Sequence, residues 1–491
     1  MKLDELIEYL KYKDLINFKN VEISGISYNS KTTKQGDIFV CLIGEHTDGH
    51  EYAQMAIDNG AVALLVERKV EGVNVPQVQV SSTKYQIADI ADRFYSSPSK
   101  GINLIGITGT NGKTTVTHLI QKILEGNNKK CALIGTLGYK LSSTSEYRNA
   151  KHTTPQAPEL QATLRMIKDI EKIDNVVMEV SSHALEQNRV GGCRFNGAVF
   201  TNLTQDHLDY HITMENYFKA KALLFQRLEE GNFAIINIDD EYGKRFLDEV
   251  PENVLKLTYG VKNSADIMAK NISFSPNGAE FTLTYKNNEY NVNLHMNGMF
   301  SVYNVLAAIA SSVAMNIDIN IALNALQNVH GVAGRFEVVN KKPLVIVDYA
   351  HTPDGLENVL KTAREITPSN GKLICVFGCG GDRDATKRPK MGAIAQQLSD
   401  KIIITSDNPR SENPQQIITD IIAGLKSVDP ETVTVEPDRK EAIGLLKTIA
   451  SNNDVVIIAG KGHEDYQILK DKTIHFDDRE EARKVFAGSV I

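Results

Sequence analysis

Ile102-Asn103-Leu104-Ile105-Gly106-Ile107 is an apolar run that passes without a break into Thr108-Gly109-Thr110-Asn111-Gly112-Lys113-Thr114-Thr115 and then into the helical pattern Val116–Leu124. Strand, glycine-rich turn and helix in that order commit the surrounding chain to an α/β layer, because the helix must fold back over the sheet that holds its strand. Glycines let backbone amides curl round a phosphate, and a helix N-terminus adds a favourable dipole. Lys113 is placed to reach the β- and γ-phosphates of a nucleotide, and the Thr114 hydroxyl to ligate Mg²⁺. The strict G-x-x-x-x-G-K-T spacing fails, because Ile107 stands where its first glycine belongs. The bland alternative is a glycine-rich turn with no ligand. The full set of strand, glycines, lysine, threonines and helix favours ATP.

The chain has 491 residues, too many for one core, and about three domains are expected. The first hundred residues mix short strands (37–42, 63–66) with amphipathic helices and close at Ser96-Ser97-Pro98-Ser99-Lys100-Gly101, a linker composition. Apolar strand candidates then recur at 130–136, 175–180, 197–201 and 233–237, most with helical patterns between them, which implies a largely parallel, doubly wound sheet. From 265 to 296 short alternating runs with turn signals read as antiparallel hairpins, and 301–329 reads as helical. After Gly331-Val332-Ala333-Gly334 the alternation resumes with strands at 344–348, 372–377, 401–405 and 454–458. The boundaries expected are 1–99, 100–333 and 334–491: an N-terminal mixed α/β domain, a central mostly parallel α/β domain with the phosphate loop, and a C-terminal Rossmann-like α/β domain.

A net charge of -7 argues against non-specific nucleic-acid binding. The five cysteines are scattered, suit neither a zinc site nor a redox pair, and fit a reducing compartment. No apolar run approaches the ~20 residues that span a bilayer. The start, MKLDELIEYLKYKDL, reads as an amphipathic helix and not a signal peptide, so a cytoplasmic protein is expected.

Two further loops carry chemistry. Val176-Val177-Met178-Glu179-Val180 delivers Glu179 and then Ser181-Ser182-His183 at its carboxyl end, and 198–201 is followed by Asn202-Leu203-Thr204-Gln205-Asp206-His207-Leu208-Asp209-Tyr210-His211. Ligands of open α/β sheets sit at the carboxyl ends of strands, so both loops are expected to converge on the phosphate loop. Acids and histidines there hold a metal or position water, or they are turn and cap residues.

Gly109–Thr115, Glu179-Val180-Ser181-Ser182-His183, Thr201-Asn202-Leu203 with Asp206-His207-Leu208-Asp209, and Asp348-Tyr349-Ala350-His351-Thr352-Pro353 resemble the Mur ligases, over nearly the whole chain. The resemblance implies ATP-dependent addition of an amino acid to a cytoplasmic peptidoglycan precursor. In such members a nucleotide-sugar domain and a mobile amino-acid domain flank the ATPase domain; a monomer is expected for this chain. Thr153-Thr154-Pro155, Gly380-Gly381-Asp382-Arg383-Asp384 and Gly460-Lys461-Gly462-His463-Glu464 are similar to the members that add the third residue, to UDP-MurNAc-L-Ala-D-Glu. Asp407-Asn408-Pro409-Arg410 resembles the motif of those that add meso-diaminopimelate.

Carried over residue by residue, the resemblance implies that Gly109, Thr110, Asn111, Gly112, Lys113, Thr114 and Thr115 hold ATP together with Asn304, Arg335 and His351. Lys113, Glu179, His207 and Lys221, the last carbamylated, would be catalytic, and Thr114, Glu179, His207 and Lys221 would hold Mg²⁺. Ser30, Glu45, His46, Thr47, Thr153, Thr154, Ser181, Gln187 and Arg189 would bind the UDP substrate. Arg383, Asp407, Asn408, Pro409, Arg410, Gly460 and Glu464 would bind diaminopimelate, the arginines as forks for its far carboxylate and Glu464 for its ammonium. Ser301 stands where the family's adenine motif has Asn, so one contact there is expected to differ. Arg410 argues against a lysine-adding enzyme, whose substrate lacks the far carboxylate.

Overall fold

The structure, a computed structural model, describes residues 1–44, 47–148, 152–275, 278–329 and 331–487. The first sheet has five strands in the order Asp14–Ile16, Gln77–Gln79, Ala63–Val66, Asp37–Val40, Gly25–Ser27, parallel except at the Asp14–Ile16 edge. The N-terminal helix is shorter than its sequence implies. It covers Leu3–Ile7 only, and Asp14-Leu15-Ile16 is the edge strand. Leu3, Leu6, Ile7 and Leu10 are all buried, so the helical stripe is spent by Leu10; beyond it the backbone gains more by pairing with Val78 than by continuing a helix whose next apolar residue, Leu15, is exposed.

The central sheet has ten strands, ordered with residues 288–294, 278–285, 267–275, 255–260, 233–237, 197–200, 103–108, 175–179, 131–135 and 138–140. It is parallel through its middle and antiparallel at both edges. The expected hairpins are present, but they extend this sheet instead of forming a separate one. Lys286 and Asn287, at φ +46° and +65°, make the two-residue turn that suits a right-twisted hairpin. The turn at Pro276-Asn277 lies outside the described residues. The single helical stretch expected at 301–329 is two helices, Met299–Ala314 and Ile319–Gln327, separated at Asn316 with φ +58°. Both pack on the helix Lys113–Gly126, whose Val116, Leu119, Ile120 and Ile123 enter the core beneath the sheet.

The third sheet has six strands, ordered Glu337–Lys341, Leu344–Asp348, Val455–Ala459, Leu373–Phe377, Lys401–Ile404, Val433–Val435, parallel but for the first. Ile402, Ile403 and Ile404 are all buried, as a strand covered on both faces requires. Register aligns the ends of these strands: Asp348 and Phe377 both pair with Ala459, and Phe377 pairs with Ile404. The loops beginning at Tyr349, Gly378, Thr405 and Gly460 therefore leave one edge together. The central sheet does the same, Ile107 pairing with Glu179 and with Val199. Among the described residues all five cysteines are unpaired and buried, and no helix is long and apolar enough to cross a membrane.

Candidate active site

The phosphate loop is fixed by the neighbouring strand end. Thr110 N donates to Asn202 O (2.8 Å) and Asn111 N to Asn202 Oδ1 (2.9 Å), while Thr201 Oγ1 donates to Asn111 O (2.6 Å). Gly109 and Gly112 hold φ of +151° and +86°; a Cβ on the first would fall 1.9 Å from Thr201 Oγ1, and on the second 2.5 Å from Asn304 Oδ1. Only glycine fits either position. Lys113 Nζ donates to the carbonyls of Gly109 (2.9 Å) and Thr110 (2.7 Å). Lys221 Nζ, buried on the helix Met214–Gln226, donates to the same Gly109 carbonyl at 2.8 Å and lies 4.5 Å from the Tyr217 ring centre. Burial, then the Lys113 ammonium, holds the Lys221 amine well below the usual lysine range. Burial also lowers Lys113, against the pull of Glu179 and Asp206.

Glu179, buried at its strand end, accepts from Thr136 N (3.0 Å) and Thr136 Oγ1 (2.9 Å) and, among the described residues, makes no ion pair. Thr136 Oγ1 also meets Thr153 Oγ1 at 3.2 Å. Thr154 Oγ1 donates to Glu179 O (2.9 Å) and accepts from Ser181 N (3.0 Å), and Ser181 Oγ caps the next helix through Ala184 N. Arg189 donates to Thr154 O (3.0 Å) and to Gln187 Oε1 (3.0 Å), and Gln187 donates to the Tyr210 hydroxyl (3.2 Å). His183 and His207 meet edge to face at 4.8 Å between ring centres. Burial pushes His207 down to about 3 and His183 down to about 4, so both imidazoles are neutral at neutral pH.

The third domain closes directly on this group. Arg335 Nη2 donates to Thr114 Oγ1 (3.1 Å), and Asn111 Nδ2 donates to Asp354 Oδ2 (2.9 Å). Asp206 is buried among His207 (3.3 Å), His351 (3.7 Å) and Lys387 (3.9 Å). Burial alone would raise its pKa; His207, a hydrogen bond from His351 and the Lys387 ammonium together hold it well below the usual range.

Two cavities flank the loop. One, of about 270 Å³, is lined by Asn111, Gly112, Thr115, Asn304, Arg335 and Tyr349, and by Asn237, Asp239, Tyr303 and Asn358. The last four were not identified from sequence. Asn237-Ile238-Asp239 leaves a parallel strand at the same carboxyl edge that pointed to Glu179, so the signal was there to use. Asp239 accepts from Lys262 N (2.8 Å), Asn263 N (2.7 Å) and the Tyr303 hydroxyl (2.8 Å). Ser301 turns its hydroxyl to Asn297 O in its own helix (2.7 Å) and lies outside this cavity's lining.

The other cavity, of about 680 Å³, is lined by Thr136, Thr153 and His207 of the central domain and by His351, Arg383, Asp407, Asn408, Arg410, Gly460 and Glu464 of the third. Asn408 Nδ2 donates to Glu464 Oε2 (2.9 Å) and Asn408 Oδ1 accepts from Ile468 N (2.9 Å). Pro409 is buried with its carbonyl against Gly381, where a Cβ would fall 2.0 Å away. Arg410 has φ +52°; its amide donates to Ile468 O (3.1 Å) and its Nη1 to Gly381 O (2.7 Å), which fixes the guanidinium at the cavity wall. Two buried cations beneath this wall, Lys461 and Arg439, have no role in the sequence reading.

The N-terminal candidates stand apart. Ser30 is buried with its hydroxyl on Met55 Sδ (3.3 Å), Thr47 is exposed, and neither lines either cavity; Glu45 and His46 lie outside the described residues. The first domain reaches the central one through the Tyr28 hydroxyl, which donates to Glu159 Oε1 at 2.6 Å.

Comparison with known proteins matches three family models along the chain. Residues 22–95 match the model for the Mur ligase family, catalytic domain, residues 107–312 that for the Mur ligase middle domain, and residues 334–462 that for the Mur ligase, glutamate ligase domain. The chain is 46% identical over 495 residues, covering all of both chains, to the UDP-N-acetylmuramoyl-L-alanyl-D-glutamate–2,6-diaminopimelate ligase of Syntrophomonas wolfei. It is 45% identical, over 98% of each chain, to the Clostridium botulinum ligase of the same name. A solved structure of a ligase of that name is 34% identical, with a TM-score of 0.66 over 95% of each chain. The MurF ligase from Thermotoga maritima in complex with ADP, at 19% identity, shares the fold with a TM-score of 0.64 over 96% of this chain and 98% of that one. The chain belongs to the Mur ligase family.

Proposed function

We propose that this protein is an ATP-dependent ligase that joins meso-diaminopimelate to UDP-MurNAc-L-Ala-D-Glu in the cytoplasm. The observation that carries the reading is the 680 Å³ cavity, in which Arg410, Asp407 and Glu464 of the third domain face the hydroxyls and histidine of the central one. Diaminopimelate carries a second ammonium and carboxylate on its far end; an arginine fork fits the carboxylate, and the Asp407–Glu464 pair fits the ammonium. The 34–46% identity to ligases named for this substrate supports the same reading.

In this reading residues 1–99 bind the UDP-sugar, 100–333 bind ATP and 334–491 bind the amino acid. Action as a monomer is part of the same reading. A carboxylate is a poor acylating agent, so ATP first phosphorylates the D-glutamate γ-carboxylate, and the amine then displaces phosphate to form the amide. The phosphate-loop amides and Lys113 take the charge that develops on the transferred phosphoryl oxygens, and Arg335 reaches the same place from the third domain. Asn304, Asp239 and Tyr303 offer polar contacts to the nucleoside in the smaller cavity. Arg189, with Thr153, Thr154 and Ser181, offers a cation and hydroxyls to the peptide carboxylate.

Glu179 and the Thr114 hydroxyl fit a hard divalent cation. A buried carboxylate that makes no ion pair among the described residues, beside a phosphate loop, is the donor such an ion takes. His207 would hold a second such ion, supported by a carbamylated Lys221, and Mg²⁺ held there would neutralise phosphate charge. Lys221 supports the modification chemically, because only an unprotonated amine adds CO₂, releasing a proton as the carbamate forms.

The test is ADP release by purified protein with the UDP-dipeptide, comparing meso-diaminopimelate, L-lysine and no amino acid. Release that depends on diaminopimelate is expected. A preference for lysine overturns the substrate, and no release under any condition overturns the ligase.

A further inference from the structure

Lys461 is fully buried, yet its Nζ stands 3.5 Å from Asp407 Oδ1, 3.3 Å from Glu464 Oε2 and 3.1 Å from Asn408 Oδ1. Among the described residues no other cation forms an ion pair with these two carboxylates, though Arg439 acts on both through space. Arg439, also buried, spends its guanidinium on Asp478 (2.7 Å), Ser406 O (3.3 Å) and Ala459 O (2.9 Å). Asp407 Oδ1 is buried and accepts no hydrogen bond. Two carboxylates over one ammonium leave a single negative charge, which one ligand ammonium cancels.

We propose that Lys461 is the positioning residue of the amino-acid pocket, holding the Asp407 and Glu464 carboxylates side by side so that together they accept the far ammonium of the incoming diamino acid. The proposal rests on the diaminopimelate reading and adds a charge-setting group to it. Geometry sets the arrangement: Asn408 bridges Lys461 and Glu464 from the 405–410 loop, so the lysine couples the two loops as well as the two charges. Glu464 faces Asp407, Lys461, Asn408, the Tyr349 hydroxyl (3.5 Å) and Tyr466. Burial, then Asp407, pushes the Glu464 carboxyl upward, and Lys461 opposes both. Without Lys461 the Glu464 carboxyl is pushed higher still, and its charge is less available to a ligand ammonium.

The experiment is steady-state ADP formation by the full-length Lys461→Met variant and the wild type, from about pH 7 to about pH 9. At the lower pH the variant's KM for meso-diaminopimelate is expected to rise about thirtyfold while its KM for ATP stays within about twofold. The gap from wild type should narrow as pH rises, because higher pH favours the charged Glu464 carboxylate. A KM change under about threefold, a gap independent of pH, or a KM for ATP that rises in step each overturns the proposal. If Lys461→Met does not fold, Lys461→Gln, which removes the charge and keeps a polar contact to Asn408, is read the same way. If neither folds, the lysine serves folding and the proposal fails. A wild type that releases no ADP with diaminopimelate refutes the function instead.

Discussion

Arg410→Ala isolates the contact that names the substrate. The guanidinium is held by Nη1 on the Gly381 carbonyl at 2.7 Å, so its remaining N–H groups meet a carboxylate at no further cost in side-chain entropy. A hydrogen bond to a charged group contributes about 1.5–3 kcal/mol, and a fork makes up to two that do not fully add. A loss of about 2–4 kcal/mol corresponds to a KM for meso-diaminopimelate about 30- to 1000-fold higher. The backbone does not confound the comparison, because alanine and lysine at φ +52° meet the same steric cost as arginine. Arg410→Lys, a point charge without the fork, should lose about half of that free energy.

The assay is ADP formation with diaminopimelate or L-lysine as acceptor, at saturating ATP and then with ATP varied. Lysine lacks the far carboxylate, so its weak turnover should barely change, and the diaminopimelate-to-lysine ratio should collapse toward unity. Parallel rises in KM for ATP and for diaminopimelate, or an unchanged acceptor ratio, would refute the clamp and make Arg410 a strut for the 380–384 loop.

Lys221→Ala should abolish ligation, and acetate should restore part of it by supplying a carboxylate to the vacated space; an unimpaired variant sinks the role. Arg439→Met leaves Asp478 buried without its partner and should lower unfolding stability by about 3–5 kcal/mol, most of it recovered by adding Asp478→Leu; an unchanged urea midpoint for the single variant contradicts this. His463 and His118 are pushed by burial down to about 3 and about 4. Unfolded histidine titrates near 6.5, so the unfolded chain binds more protons below that pH and stability should fall as pH drops from about 7.5 to about 5.5, by about 1 kcal/mol for each imidazole. A urea midpoint flat across that window would show that neither imidazole is buried uncharged.

What was legible in the sequence divides along physical lines. Runs such as Ile402-Ile403-Ile404 announce parallel strands because both their faces are covered, and the same logic placed Glu179 and Asp407 at carboxyl edges. The N-terminal helix misled because Leu3, Leu6, Ile7 and Leu10 keep helical spacing while Leu15 belongs to an edge strand whose partner lies more than sixty residues away. Lys461, Arg439 and Asp478 were invisible for a related reason. A charged residue is usually solvated, and only long-range packing shows that these three are sealed beneath the pocket. The left-handed backbone of Arg410 is likewise a product of its loop's hydrogen bonds to Ile468 and Gly381, which adjacent residues do not encode.

The Gly109 carbonyl ties the two lysines of the central domain together. It accepts from Lys113 at 2.9 Å and from Lys221 at 2.8 Å, so two amines converge on one oxygen. Two ammonium ions on one carbonyl oxygen repel, by a few kcal/mol at an effective dielectric of about 20, and the deeper of them gives up its proton. The loop without nucleotide thus favours a neutral Lys221, the form that reacts with CO₂. Bound triphosphate reverses this, since its charge stabilises both ammonium ions and draws Lys113 from the carbonyl. Protein stripped of CO₂ should therefore regain activity with bicarbonate more slowly when ATP is added first. Recovery at the same rate in either order would show that the two lysines do not share their charge.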